Sequence, residues 1–204
     1  MSVQNYRDRQ KSVIISAARE ILKTEGLEGL QARRVASDSD CSVGTIYNLF
    51  GSLDMLIIAA NAGTLNDLHA VLLRARSRAN TVNEQLDALS KAYLDFALAR
   101  TNEWRALFEH RLTTKTPVPE WYRENQAELF EIVEELLAPA IQSEQRRSES
   151  ARALFSAVHG VISLALDQKL GDFDRGATER QVSFIIRSIS RGLSENQPAE
   201  PLSV

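Results

Sequence analysis

From Ser42 to Asn48 the chain reads Ser-Val-Gly-Thr-Ile-Tyr-Asn. Ser42, Thr45, Tyr47 and Asn48 carry hydroxyl or amide groups, which donate hydrogen bonds to phosphate oxygens and base edges without a metal or a change of protonation. Ile46, Leu49 and Phe50 recur at helical spacing and share one side of a helix; Val43, Gly44, Thr45, Tyr47 and Asn48 include the other. Gly44 lets a backbone approach another molecule closely, and Thr45 can reach a phosphate or a thymine methyl. Arg33 and Arg34, a little upstream, add positive charge. This set suits contact with a nucleic acid. The plainer reading makes Tyr47 a half-buried core residue and Gly44 a weak point in its helix.

Chemistry that makes and breaks bonds finds less support. The only histidines, His69, His110 and His159, fall in separate segments, and Cys41 is the only cysteine. There is no His-x-x-x-His or Glu-x-x-His spacing, no glycine-rich phosphate loop and no nucleophile elbow. We therefore expect no enzyme, no metal and no cofactor. A single cysteine forms no intrachain disulfide and suits a reducing cytoplasm. The opening MSVQNYRDRQKS lacks the apolar stretch of a secretory signal. The uncharged apolar run between Arg152 and Asp167 is shorter than the ~20 residues that span a bilayer. With 44% apolar and 25% charged residues over 204 positions, the composition is that of a soluble globular protein with a substantial core. The net charge of −3 rules out a uniformly basic surface but leaves room for a local DNA-reading face.

The elements that must position these residues read as helices throughout, about nine of them, with no strand: an all-α chain. Apolar spacing predicts a first helix over 8–24, burying Val13, Ile14, Ala17, Ala18, Ile21 and Leu22, with Gly26 at its C-cap. A short helix over 31–37 follows. Another starts at Ser42, a good N-cap residue, and ends near Phe50, where Gly51 breaks it. Ser52 caps a longer helix reaching about Arg78. Further helices are expected over 82–100, 103–112, 119–138, 147–169 and 178–193, with a proline-bearing loop over 113–120. Two short helices joined by a tight turn and propped by a longer one make a helix-turn-helix, whose second helix enters the DNA major groove.

The same residues resemble the head of the TetR family of one-component bacterial regulators. The resemblance is carried by Ala17-Ala18-Arg19-Glu20-Ile21-Leu22, Gly26, Val35-Ala36, Ser42, Gly44-Thr45-Ile46-Tyr47, Phe50, Ser52 and Leu56. It implies an N-terminal three-helix helix-turn-helix head over 8–68, a C-terminal helical ligand-binding and dimerisation bundle over 80–193, and a disordered tail over 194–204. It also implies a pseudo-palindromic double-stranded DNA operator as partner, contacted by Arg33, Arg34, Ser42, Val43, Gly44, Thr45, Tyr47 and Asn48. A homodimer through the last two helices, a small apolar or amphipathic effector and no membrane complete the expectation, with repression as the family default. Phe155, Val158, Ile162 and Leu166 with Val182, Ile185 and Ile189 are rows that suit either the dimer or the chain's own core. Val158-His159-Gly160 is similar to a Trp-His-Gly signature of one C-terminal subgroup, with Val158 in the tryptophan position. Candidates to line an effector pocket are Tyr93, Phe96, Trp104, Phe108, His110, Trp121, Tyr122, Phe130 and His159, although such an aromatic set is more often plain core. Three positions depart from the family pattern. Gln31 stands for a capping threonine, Asp40 takes the turn position usually held by glycine, and Leu53 replaces a phosphate-binding lysine. Through Gly51, seven basic side chains nearly balance six acidic ones. These departures keep a second reading open, a helical protein-binding adaptor with a weakened DNA-binding head.

Overall fold

The structure, a computed structural model, describes residues 3–112 and 117–195. Among them are nine helices and no strand: α1 (Val3–Gly29), α2 (Ala32–Asp38), α3 (Val43–Phe50), α4 (Leu53–Arg76), α5 (Val82–Ala99), α6 (Thr101–Glu109), α7 (Glu120–Leu137), α8 (Glu144–Leu166) and α9 (Arg175–Glu195). The centre of the expected 113–120 loop and the expected tail beyond Glu195 lie outside the described residues. Contacts divide the chain into two compact units, Met1–Leu68 with Phe96–Gln126, and His69–Asp95 with Ala127–Val204.

In the first unit α1, α2 and α3 close over one core. Ile14, Ala18, Ile21, Leu22, Leu30, Val35, Ala36, Ile46, Leu56, Ile57 and Ala60 are buried together, with Ala106 of α6 among them. Burying a side chain of the Leu or Ile kind contributes about 1.5–3 kcal/mol before entropy is counted, so this cluster fixes where α3 sits. Val13 departs from its expected place: it is 48% exposed, because the buried stripe of α1 runs through Ile14, Ala18, Ile21 and Leu22. Gly26 breaks the helix at its expected place, with a non-helical φ 70°, ψ −162° that only glycine adopts easily, and a short further helical stretch runs on to Gly29. There the Asn102 side-chain amide donates to the Lys23 carbonyl at 3.1 Å.

By length and composition α4 could cross a membrane. Much of its apolar surface is instead used inward, by Leu56, Ile57, Ile58, Ala60, Leu65 and Leu68. A charged network ties α1, α4 and the start of α6 together at one side of this unit. Arg19 and Arg100 both hydrogen-bond Asp67, and Arg100 also grips both oxygens of Glu103, which is almost fully buried. Gly63 makes room for it, since a Cβ there would lie 2.9 Å from the Arg19 guanidinium. Burial alone would raise the Asp67 carboxyl, but the Arg100 and Arg19 hydrogen bonds outweigh it and hold it below its ordinary value.

In the second unit α8 packs on α9. Val158, Ile162, Val182 and Ile186 are buried, and Leu137, Ile141 and Ala151 form a small cluster beside them. Val158, Ile162 and Val182, from the rows whose burial was open, therefore serve the chain's own core.

Candidate nucleic-acid interface

The turn between α2 and α3 decides how the tip is held. The Cys41 amide donates to the Ala36 carbonyl at 2.9 Å and the Asp40 amide to Ser37 at 3.3 Å, while Asp40 takes φ 49°. This is the Schellman closure of a helix, with its left-handed residue supplied by aspartate instead of glycine. Asp tolerates that conformation better than most residues. Cys41 is half-buried against the head core, 3.3 Å from the Ser39 hydroxyl.

α3 then starts cleanly. Ser42 is extended (φ −84°, ψ 154°), and its hydroxyl accepts from the Thr45 amide at 3.1 Å and lies 2.9 Å from the Thr45 hydroxyl. The cap leaves further α3 amides at the tip with no partner inside their own helix, a set that favours an anion. Gly51 (φ 81°) ends the helix, and the Ser52 hydroxyl restarts the chain as α4 by accepting from Met55 at 3.1 Å.

Ile46 is sealed in the core, and Leu49 and Phe50 pack against it. On the other side Tyr47 is 47% exposed, Ser42, Gly44 and Asn48 are exposed, and Val43 and Thr45 are partly so. Tyr47 is therefore not a core residue. Gly44 has a negative φ, and a Cβ there would meet only the Ser42 hydroxyl oxygen at 3.6 Å, an ordinary contact. Nothing among the described residues requires a glycine at this place.

The flanking charges differ from each other. Arg34 is engaged with Asp38 (2.8 Å) and Glu25 (3.5 Å), and the Asp38 hydrogen bond makes its guanidinium more basic than usual. Arg33 is exposed and makes no ion pair among the described residues. Gln31 occupies the N-cap of α2 without a side-chain capping bond. Leu53 packs against the head core.

The aromatic candidates fall in both units. In the first, Trp104 and Tyr122 are buried, and Phe96 is buried beneath the Arg100 guanidinium at 5.0 Å. Phe108, with its ring 5.5 Å from Trp104, and Trp121 are over two-fifths exposed. His110 approaches Asp54 at 3.5 Å, and burial pulls its imidazole below the ordinary value against the pull of Asp54. Burial pushes the Tyr122 hydroxyl up to about 12. In the second unit the Tyr93 hydroxyl meets His159 Nδ1 at 2.8 Å, Phe155 stacks on His159, and Phe130 meets Phe155 edge-on. Burial lowers the His159 imidazole, so near neutral pH its neutral ring can accept from Tyr93. No spacing rule pointed to the Tyr93–His159 pair or to the Arg19–Asp67–Arg100–Glu103 network; their members are far apart in the chain.

An all-helical chain that presents an exposed, serine-capped α3 behind a tight turn from α2 is a helix-turn-helix protein. Residues 14–60 match the model of "Bacterial regulatory proteins, tetR family", and residues 86–189 match "Tetracyclin repressor-like, C-terminal domain". The chain belongs to the TetR family. A curated relative from Xanthobacter autotrophicus, an "Uncharacterized HTH-type transcriptional regulator in dhlA 5'region", is 27% identical over 167 residues, covering 77% of this chain and 81% of its own. A solved structure from Rhodococcus sp. RHA1, of a protein with unknown function, superposes with TM-score 0.71 at 22% identity, over 90% of this chain and 94% of its own. The crystal structure of BioQ with its natural double-stranded DNA operator superposes with TM-score 0.61 at 21% identity, over 91% and 98%. The chain is a DNA-binding transcriptional regulator, a class distinct from enzymes.

Proposed function

We propose that the chain is a homodimeric repressor that a small-molecule effector releases from a pseudo-palindromic operator. Residues 8–68 are its DNA-binding head and 80–193 its effector-binding and dimerisation body. The observation that carries this reading is the polar, exposed face of α3. Ser42, Gly44, Thr45, Tyr47 and Asn48 stand out from a core that holds Ile46 rigidly, with the partly exposed Val43 at its edge and Arg33 and Arg34 beside them. The operator complex of the similarly folded BioQ supports it.

A dimer follows from need and from surface. One short helix reads too few bases for useful specificity, and a twofold pair reads two half-sites. On α8, Ala157, Gly160, Val161 and Leu164 form a partly exposed stripe at helical spacing. On α9, Phe184 is 66% exposed. A Cβ at Gly160 would meet nothing within 4 Å, so a partner helix can approach there. In the body, the Tyr93–His159 pair among aromatic rings offers an effector both a polar handle and apolar surface. An effector acts only through a difference in affinity between the DNA-fitting and non-fitting states. The protein works where the DNA is, in the cytoplasm.

The experiment is selection of bound duplexes from a random pool, then a screen for small molecules that release them. A recovered inverted repeat, and at least one compound that lowers affinity for it, are expected. An unstructured or half-length motif, or a chain that is monomeric at working concentration, contradicts the proposal.

A further inference from the structure

Ahead of the family match, which begins at Ile14, α1 already runs as a helix from Val3. Residues four, seven and eleven apart share one side of a helix, so the row that buries Ala18 and Ile14 continues toward the N-terminus as Lys11 and Arg7. Charges are costly to bury, and here the row leaves the core: Lys11 is partly exposed and Arg7 exposed. At 1.5 Å per residue Arg7 lies about 10 Å beyond Ile14 along the helix. Arg9, on the opposite side, is exposed too. The cations of the head differ in their commitments. Arg19 bonds Asp67, Lys23 lies 3.6 Å from Glu20, and Arg34 pairs with Asp38 and Glu25. Arg7, Arg9, Lys11 and Arg33 make no ion pair among the described residues. α1 also brings its first turns to the reading end of the head. Arg9, Ser12, Val13, Ser16 and Ala17 line a shallow groove with Asp38, the last residue of α2. Nearer the start of α2, Arg34 pairs with Glu25, far along α1. The two helices are therefore antiparallel, and the first turns of α1 lie at the end of α2 from which the turn leads to Ser42.

We infer that Arg7, Arg9 and Lys11 form a second DNA-contacting surface, which binds phosphates flanking the bases that α3 reads. Guanidinium and ammonium groups that no carboxylate holds give up no ion pair on meeting phosphate, and such contacts add affinity without sequence preference. A lipid surface fits less well. Tyr6 and Val13, the exposed apolar residues of these turns, have Arg9 and Gln10 between them and form no continuous apolar face. The inference rests on DNA binding, and on neither the dimer nor the effector.

The test uses the full chain carrying Arg7→Gln, Arg9→Gln and Lys11→Gln together, on duplexes recovered by selection. Fluorescence anisotropy over a range of salt concentrations reads affinity and its salt slope. We expect the neutral variant to bind about tenfold or more weakly, with a slope of log affinity against log salt lower by about three per bound head. Lengthening the duplex by about ten base pairs on each side, one helical turn, should tighten the wild type and not the variant. The motif recovered by selection should stay the same. A charge-retaining variant, Arg7→Lys with Arg9→Lys and Lys11→Arg, should keep the wild-type slope, and the thermal midpoint shows that both variants remain folded. An unchanged slope, a changed motif, or wild-type affinity indifferent to the added flanks would overturn the inference while leaving α3 as the reader of the duplex. Binding to phosphatidylserine vesicles by the wild type and not by the neutral variant, with the DNA slope unchanged, would overturn it too and assign the cations to a membrane.

Discussion

Gly44→Ala separates what the fold needs at the tip of α3 from what DNA needs. The new methyl meets only the Ser42 hydroxyl oxygen at 3.6 Å, and the backbone is not in the left-handed region. Alanine is favoured over glycine in a helix by up to about 1 kcal/mol, and less in a first turn, so we take about 0.5. For a chain of this size that raises the thermal midpoint by about 1–2 °C. At the DNA the sign reverses. The exposed Gly44 leaves the first turn of α3 bare, and a methyl there holds it off the duplex. Losing one hydrogen bond to phosphate per head is worth about 1.5–3 kcal/mol, so two heads lose about 3–6 kcal/mol, roughly 10²- to 10⁴-fold in affinity. The assays are thermal unfolding by circular dichroism and fluorescence anisotropy on a selected duplex. A variant that is more stable and binds poorly fits the account. A midpoint lowered by several degrees would mean that the fold itself needs Gly44. Unchanged affinity would remove α3 from the interface.

Other outcomes follow from the same geometry. Gln31→Thr supplies the capping bond that α2 lacks, and should stabilise by about 1 kcal/mol; an unchanged midpoint in chemical denaturation speaks against it. Arg33→Ala should lower the slope of log affinity against log salt by about two, one per head, whereas Tyr47→Ala should weaken binding to all sequences with little change in slope; identical slopes for wild type and Arg33→Ala would contradict this. Val43 and Thr45 substitutions should instead change which sequence is preferred, as read by repeated selection. Burial lowers the imidazoles of His110 and His159 in the fold, so the unfolded chain takes up protons first. Their contribution to stability is therefore complete above the ordinary value near 6.5 and declines as pH falls below it. Unfolding midpoints measured from pH 8 to 5.5 should drop, and less so in His159→Gln; a rise on acidification has the wrong sign.

Much of this was legible in the sequence because helices announce themselves by apolar spacing. Ile14, Ala18, Ile21 and Leu22 mark one face of α1, and Ser42 and Ser52 mark the starts of α3 and α4 as they stand. The break between α5 and α6 falls at Arg100 (φ −136°, ψ 47°), where the expected helix over 82–100 ends, but α6 restarts at Thr101 and not at the expected Glu103. No glycine or proline signals it; Arg100 is held instead by Asp67 and Glu103, a tertiary cause. The rows on α8 and α9 were ambiguous for a related reason. Val158 and Val182 are as apolar as Leu164 and Phe184, and only packing shows which pair the chain buries for itself. At the tip, residue types were readable but commitments were not: Arg33 and Arg34 look alike in sequence, yet Arg34 is already tied to Asp38 and Glu25.

The most direct test of the tip places a photo-crosslinking side chain at position 43 or 47 and identifies the linked nucleotides on a selected duplex. The account predicts crosslinks from both positions to two places about one helical turn, 10–10.5 base pairs, apart. Crosslinks from a control position such as Leu170 on the body, with none from 43 or 47, would contradict it.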